Sequence, residues 1–322
     1  MTRSAQVSRR TFLVGAGGAV AGWATWPRLS ARGGEGPQRS ERAYQVGIYT
    51  RPWDRYDYRV ALHAIAEAGF QHVGLMTTTM PWGRLVLSAT TTSEQAAAIG
   101  EEVRKRGLGI LSVYPGGIPV QKSIQAGVEA MRRIIDNCLV AGAKSILMGG
   151  TGNAKLYDAY YKAIAETCDY AAEKNIPITV KPHGGLNATG PQCRKCIEMV
   201  GHENFSLWYD PGNIMYYSNG RRDPVEDAKT VAGLVRVGMC VKDFDMVEKN
   251  GELRRDVWIT PGQGRVDFPK VLKVLRDGGF RSGALVIECV YRGDGSLETI
   301  LAEAKKARAY VEELVAAYRD AL

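Results

Sequence analysis

The feature that most limits how this chain can fold is an alternation of short apolar runs with longer stretches of helical spacing, which begins at Tyr44. The apolar runs predict eight strands, at residues 45–49, 72–76, 109–114, 145–148, 178–180, 206–209, 235–241 and 284–287. The longer stretches predict eight helices, at residues 58–68, 93–106, 123–141, 158–174, 191–200, 224–233, 269–277 and 297–321. Eight such units match the (β/α)8 TIM barrel, which typically needs about 250 residues. The alternation therefore predicts an α/β fold of this class over residues 44–322.

A doubly wound sheet is the competing fold for an alternating sequence. It would normally carry a glycine-rich phosphate loop after its first strand. This chain has Tyr49-Thr50-Arg51-Pro52-Trp53 at that point. Because the sequence also shows no domain boundary after Tyr44, we favour a single barrel.

The first 43 residues have a different character from the rest of the chain. Arg9 and Arg10 precede Thr11-Phe12-Leu13 and a short, glycine-rich apolar run at residues 14–26. This order resembles a bacterial twin-arginine export signal. The run is too short and too rich in glycine to span a bilayer as a stable helix. We predict a signal peptide and linker over residues 1–43, with export to the periplasm and no stable membrane insertion afterwards. A tail with a chance arginine pair is the alternative.

The positive charge of the chain lies mainly in this leader. The chain has 42 basic and 34 acidic residues, for a net charge of +8, and residues 1–43 contribute seven Arg and two Glu. The body is therefore nearly balanced, which argues against a nucleic-acid partner. Cys193 and Cys196 form a single C-x-x-C pair without the second pair of a typical zinc site, so packing or an incidental disulfide is expected. The sequence leaves open whether the chain forms a homo-oligomer.

Ionisable and polar side chains follow four consecutive predicted strands. In a TIM barrel the active site lies where the strands end, so these residues are expected to share one rim. They are, in chain order, Lys181, His183, Asp210, Asn213, Cys240, Lys242, Asp243 and Glu288. A structural ion pair would explain any one of these residues. Because such residues stand at the ends of four neighbouring strands, we predict a functional site there.

The tracts that contain these residues resemble a known family. They are VKPHGGLNATG (180–190), YDPGN (209–213), VKDFD (241–245), PGQGRVDF (261–268) and VIE (286–288). Together they are similar to the sugar phosphate isomerase/epimerase family with a xylose isomerase-like TIM barrel. That resemblance implies a divalent cation held by Glu, Asp, His and Glu from strands five to eight, and proton transfer beside a sugar carbonyl.

Two of the four ligand positions differ from the family pattern. Asp210 and Glu288 match, whereas Lys181 stands at the first Glu position and Cys240 at the His position. An ammonium repels a metal ion, but it can neutralise two carboxylates that would otherwise repel each other. We therefore expect Lys181 to take the place of the metal between Asp210 and Glu288. A divalent Mn, Mg or Zn ion on Asp210, Cys240 and Glu288, with His183 as a further ligand, is the alternative.

The resulting interpretation is an exported isomerase or epimerase, or a related lyase, that acts on a small carbohydrate by proton transfer beside a carbonyl. His183, Lys181 and Glu288 are the candidate catalytic residues. The candidate substrate-binding residues are Asn213, Lys242, Trp53 and Tyr216. The alternative is a barrel that has lost its catalytic site and binds a carbohydrate or a protein partner. An endonuclease is disfavoured because four scattered histidines do not supply a cluster of zinc ligands.

Overall fold

The computed structural model describes residues 44–318. The predicted signal peptide and linker, residues 1–43, lie outside the described residues. The strands are β1 (Tyr44–Tyr49), β2 (His72–Leu75), β3 (Thr77–Met80), β4 (Gly83–Leu85), β5 (Gly109–Val113), β6 (Ile146–Met148), β7 (Ile178–Val180), β8 (Phe205–Tyr209), β9 (Val235–Val241), β10 (Asp245–Lys249), β11 (Glu252–Asp256) and β12 (Gly283–Ile287). The α-helices are α1 (Tyr58–Glu67), α2 (Ser93–Arg104), α3 (Ile124–Ala141), α4 (Tyr157–Ala165), α5 (Cys168–Glu173), α6 (Gly190–Val200), α7 (Pro211–Tyr217), α8 (Pro224–Lys229), α9 (Phe268–Asp277) and α10 (Leu297–Ala316).

Eight parallel strands form a closed barrel in the order β1-β12-β9-β8-β7-β6-β5-β2. The barrel closes where β1 pairs with β12, from Tyr44 opposite Gly283 to Ile48 opposite Ile287. The helices connect successive strands. The predicted (β/α)8 barrel is therefore confirmed, and all eight barrel strands lie where the apolar runs predicted them.

Local sequence signals explain where several helices begin and end. Thr92 and Gln95 form a capping box at the start of α2. The Ser123 side chain caps α3, which ends at Gly142 in the left-handed conformation. The predicted helix at 158–174 is in fact two helices, α4 and α5, with a break at Glu166 and Thr167 where the backbone leaves the regular helix.

The sequence analysis missed three elements, all of which follow barrel strands. These are the β3–β4 hairpin, the helix α7 and the β10–β11 hairpin. The last of these turns at Asn250-Gly251, where both residues have positive φ angles of 57° and 78°. An Asn-Gly pair is a strong signal for a two-residue hairpin turn, because both of its residues adopt such angles at little cost.

Apolar side chains fill the barrel on both sides of its wall. One cluster faces the interior and consists of Tyr49, Met76, Leu111, Leu147, Trp208, Cys240, Ala284 and Val286. A larger cluster packs the helices against the outside of the strands. Because the interior is filled by side chains, a ligand has access only at an end of the barrel.

All six cysteines are buried free thiols, so Cys193 and Cys196 are not joined. The Sγ atom of Cys196 lies 3.2 Å from the hydroxyl of Tyr157, within the layer between α4 and α6. Within residues 44–318, none of the helices has the length and apolar character needed to cross a bilayer.

Candidate active site

Two buried carboxylates stand at the C-terminal ends of barrel strands. Asp210 directly follows β8 and caps α7, where its Oδ1 accepts a hydrogen bond from the Asn213 N–H at 2.9 Å. Glu288 directly follows β12. Strands β8 and β12 both pair with β9, so the two acids lie on either side of one strand. Neither side chain is more than 1% exposed, so each needs a cationic partner.

The ammonium of Lys181 lies between these two carboxylates. Lys181 follows β7, and its Nζ is 2.5 Å from Glu288 Oε2 and 3.3 Å from Asp210 Oδ2. The side chain is only 1% exposed. It is therefore a buried cation whose hydrogen bonds go to both acids at once.

A second ammonium contacts the same pair of acids. Lys242 follows β9, and its Nζ is 2.7 Å from Glu288 Oε1 and 3.4 Å from Asp210 Oδ2. It also donates to Asn213 Oδ1 at 2.9 Å, while the amide nitrogen of Asn213 donates to the Pro182 carbonyl. Asn213 therefore acts as a support that orients Lys242.

Arg51 supplies a third cation to Glu288. It follows β1 in a short 3-10 turn, and its Nη1 is paired with Glu288 Oε1. Its guanidinium also lies 5.1 Å from the centre of the Trp258 ring. The inner site thus holds three cations and two carboxylates, which leaves one excess positive charge in a largely buried cluster.

The protonation states follow from this arrangement. Burial alone would raise the pKa of Glu288, but Lys181, Lys242 and Arg51 hold that pKa well below its ordinary value. Burial alone would lower the pKa of Lys181, but the nearby carboxylates raise it well above its ordinary value. Both groups are therefore ionised at neutral pH. Lys181 keeps its proton, so it is unsuited to form a Schiff base, which requires a neutral amine.

His183 lies on the loop that follows Lys181. Gly184 and Gly185 have positive φ angles of 79° and 55°, and the Asn187 side chain ties the loop back by donating to the Lys181 carbonyl at 2.8 Å. The His183 ring packs edge-on against Tyr217. Burial and the cations of the inner site lower the pKa of His183 to about 3, so its imidazole is neutral at pH 7.

A cavity of about 360 Å³ opens at this end of the barrel. On one side it is lined by Arg51, His183, Asn213 and Lys242, which follow barrel strands. The β10–β11 hairpin and the residues after it also line the cavity, including Lys249, Arg255 and Trp258. Its volume is within the range of small-molecule sites.

The structure brings most of the predicted site residues together. Lys181, Asp210, Cys240, Lys242 and Glu288 form one contact network, and the Cys240 thiol donates to Glu288 Oε2 at 3.1 Å. The predicted residues His183, Asn213 and Tyr216 line the cavity together with Lys242 of this network.

Trp53 and Asp243 lie elsewhere. The prediction that Trp53 faces the mouth is not met, because its side chain has no exposed surface and packs in the outer core. Asp243 accepts hydrogen bonds from the N–H groups of Gly262, Gly264 and Val266, so it anchors a loop.

The cavity residues that the sequence analysis missed include Arg51, Arg255 and Trp258. Arg51 follows the first strand and therefore carried the same positional signal as the others. Arg255 belongs to the hairpin that the Asn-Gly pair at residues 250–251 could have revealed, and Trp258 follows it. Trp258, together with Tyr216, supplies the aromatic surface that Trp53 was expected to provide.

The family pattern of the xylose isomerase-like TIM barrel matches residues 62–314. The chain belongs to this family. Among curated proteins it is similar to the inosose dehydratase of Geobacillus thermodenitrificans, with 23% identity over 65% of this chain and 77% of the relative. It is also similar to that of Clostridium perfringens, with 26% identity over 50% of this chain and 57% of the relative. The chain therefore spans between about half and three quarters of the curated relatives it matches.

Solved structures share the fold at low sequence identity. An L-ribulose 3-epimerase superposes with a TM-score of 0.62 at 16% identity, covering 86% of this chain and 96% of the other. A xylose isomerase-like TIM barrel protein from Mycobacterium smegmatis, in complex with magnesium, gives 0.64 at 15% identity, with 85% and 97% covered. The IOLI protein with a binding zinc atom gives 0.62 at 16% identity, with 85% and 99% covered.

Asp210, Cys240 and Glu288 form a candidate metal-ligand triad, because one ligand atom of each lies within 4.8 Å of the others. The space between them, however, is where the Lys181 and Lys242 ammoniums bind both carboxylates. A divalent ion would have to displace both cations, which are at most 3% exposed. As arranged, the residues do not fit a hard divalent ion.

Proposed function

We propose that this barrel is an enzyme that moves a proton at a carbon beside the carbonyl of a sugar derivative. The reaction class includes isomerisation, epimerisation and water elimination. The similarity to inosose dehydratases and to an epimerase supports it. The observation that carries the proposal is the position of the His183 imidazole on the wall of a cavity that is also lined by Lys242 and Arg51, two cations of the inner site.

The cationic cluster is suited to stabilise an enolate. Removal of a proton beside a carbonyl places negative charge on the carbonyl oxygen. Lys242 reaches the cavity, and Lys181 lies behind it on the same two carboxylates. Cations fixed in place before reaction, where water is excluded, stabilise such charge without having to reorganise. The excess positive charge of the inner site would be balanced as the enolate forms.

His183 is suited to take the proton. Within residues 44–318 no hydrogen bond contributes to the shifted pKa of His183, and the ring lies on the cavity wall, so its unprotonated nitrogen can accept a proton from substrate. The proton moves from carbon to the imidazole, and the bonding electrons move to the carbonyl oxygen. Protonation of the same carbon from its opposite face gives an epimer. Return of the proton to the former carbonyl carbon, with transfer of the hydroxyl proton between the two oxygens, gives an isomer. Transfer of the abstracted proton to a departing hydroxyl group eliminates water.

Hydrogen exchange tests this proposal directly. The protein is incubated in D2O with a panel of ketoses, inososes and sugar acids, and incorporation of deuterium at carbon is followed by NMR. We expect exchange by the wild type and its loss in His183→Gln. His202→Gln is the matched control, because His202 lies away from the site and pairs with Asp169 at 3.0 Å. Equal exchange rates in the His183→Gln variant and the wild type would contradict the assignment.

We further propose that Lys181 takes the position of a metal ion in this site. Its contacts to Asp210 and Glu288 support this. The replacement of two of the four metal ligands that the family resemblance implies supports it as well. The proposal predicts that the purified wild type turns over in the presence of EDTA. Stoichiometric Mn, Mg or Zn whose removal abolishes turnover would contradict it.

A second candidate function is carbohydrate binding without turnover. It is favoured by one observation: each charged group of the inner site is already paired with another. Such a closed network is also what a barrel that has lost its catalytic site would contain. Calorimetric binding of a sugar, with no deuterium incorporation for the same sugar, would establish this alternative in place of the enzyme.

Export by the twin-arginine route remains part of the proposal. It rests on Arg9, Arg10 and the apolar run that follows them. Replacement of both arginines by lysine should retain a reporter fused after residue 43 in the cytoplasm, while the unchanged leader exports it. Equal export of both fusions would contradict this assignment.

A further inference from the structure

Arg255 is a basic side chain on the cavity wall that has only neutral partners. Its Nη1 donates to the Tyr216 carbonyl at 3.2 Å and to Asn219 Oδ1 at 3.3 Å. Its guanidinium also stacks on the Tyr216 ring at 4.4 Å. Within residues 44–318, Arg255 makes no ion pair. The side chain is thus oriented, and its Nε and Nη2 donors are free to bind a ligand.

The other charged groups on the cavity wall have partners of opposite sign. Lys249 pairs with Asp256 at 2.7 Å, while Lys242 and Arg51 both pair with Glu288. With the inner site included, five basic side chains face three carboxylates. Two positive charges are therefore in excess, one in the inner cluster and one at Arg255.

We infer that the substrate is an anionic sugar derivative whose carboxylate or phosphate group is bound by Arg255 while its carbonyl end faces Lys242. This rests on the proposed function and specifies its substrate class. An oxyanion matches the free donors of a guanidinium, which bind carboxylate and phosphate with directional hydrogen bonds. A neutral sugar would leave the guanidinium of Arg255, which is exposed to solvent, without a charged group of the ligand to pair with.

Binding measurements test this inference without any need for turnover. Titration calorimetry compares glucuronate and galacturonate, which carry a carboxylate, with glucose 6-phosphate and with neutral glucose and galactose. Inorganic phosphate serves as a probe without a sugar ring. We expect at least one anionic probe to bind about 10-fold tighter than its neutral counterpart. The uronates and the sugar phosphate distinguish the two sources of the anion.

Adjacent arginines provide a matched pair of variants. Arg255→Gln should weaken the anionic ligand by about 10- to 100-fold and leave neutral sugars nearly unchanged. Arg254→Gln removes the same charge from the neighbouring position in β11, where Arg254 is exposed and paired with Glu252 at 3.0 Å. Successive residues of a strand point to opposite faces, so this control should have little effect.

Several results would overturn the inference. These are equal affinity for neutral and anionic sugars, equal losses in Arg255→Gln and Arg254→Gln, and no binding of any anionic probe at about 10 mM, a concentration above millimolar Kd values. None of these results would change what the deuterium-exchange experiment shows about the reaction class. Conversely, anion binding that depends on Arg255 without any exchange would refute the proposed reaction and leave Arg255 as an anion-binding residue only.

Discussion

The His183 imidazole is expected to remain neutral at pH values where an ordinary histidine is charged. Burial is the main cause, and the cations of Lys181, Lys242 and Arg51 act in the same direction. With a pKa of about 3, His183 would be roughly 1% protonated at pH 5. An unperturbed imidazole, with a pKa of about 6.5, would be roughly 97% protonated at the same pH.

This difference has a consequence for stability whose sign can be worked out. Between pH 6.5 and pH 3 the unfolded chain protonates His183 and the folded chain does not. The unfolded state therefore binds more protons, and acid lowers the free energy of unfolding. At pH 5 the cost is about 2 kcal/mol, while at pH 7.5 it is close to zero. Glutamine at this position would remove the cost.

NMR of 15N-labelled imidazoles measures the pKa directly. The chain has only four histidines, so the resonances are few, and His183→Gln identifies the one that belongs to His183. We expect that resonance to keep its neutral shifts between pH 8 and pH 5. In parallel, denaturant unfolding should show that His183→Gln gains about 2 kcal/mol relative to the wild type on going from pH 7.5 to pH 5.

A titration midpoint of His183 near 6.5 would refute the reasoning. It would mean that neither the burial of the ring nor the three cations act on His183 as the structure places them. A stability difference between wild type and variant that does not change with pH would lead to the same conclusion. Since the NMR measurement concerns the folded protein alone, it decides the question even if unfolding is not two-state.

Other predictions concern the ion-pair network and the loop. Lys181→Met removes one partner from two buried carboxylates and should destabilise the fold by about 3 kcal/mol. The loss is measured as a shift of the urea midpoint, and an unchanged midpoint would show that the ammonium is not buried there. Lys181→Glu adds a carboxylate beside Glu288 and should increase Mn²⁺ uptake, measured by elemental analysis against the wild type; equal uptake would contradict this. Gly184→Ala places an alanine at a φ of 79°, with a Cβ that would lie 2.6 Å from the Tyr217 ring, so it should displace His183 and lower turnover. Gly117→Ala is the control, because the space around Gly117 is open, and it should leave turnover unchanged.

The fold was readable from the sequence because strand and helix periods differ along most of the chain. The eight strands lie where the apolar runs predicted them, and the sites after β7, β8, β9 and β12 followed from the rule that ligands bind at the strand ends. The contacts among Lys181, Asp210 and Glu288 could be anticipated because parallel strands end at one rim. These residues are up to 107 positions apart in the sequence, and that separation alone does not predict a contact.

Sequence reasoning missed the residues whose place in the site cannot be inferred from their position relative to a strand. Trp53 and Arg51 leave the same strand two residues apart, yet only Arg51 reaches the cavity, because the 3-10 turn directs the two side chains differently. The role of Arg255 depends on a hairpin that folds over the mouth. No apolar periodicity marks that hairpin, since β10 and β11 are mostly polar and exposed.

The charge of the inner site explains why a lysine can occur where the family resemblance implies a metal ligand. A set of two Glu, one Asp and one neutral His around a divalent ion carries a net charge of −1. Lys181, Asp210, a neutral Cys240 thiol and Glu288 also sum to −1, because burial raises the pKa of Cys240 well above its ordinary value. One ammonium in place of one carboxylate would therefore compensate for the absence of an ion. A divalent ion added to the present four residues would bring them to +1, beside Lys242 and Arg51, with no further acid in contact among residues 44–318. The same electrostatic requirement thus disfavours a bound metal here and favours a substrate that brings its own negative charge.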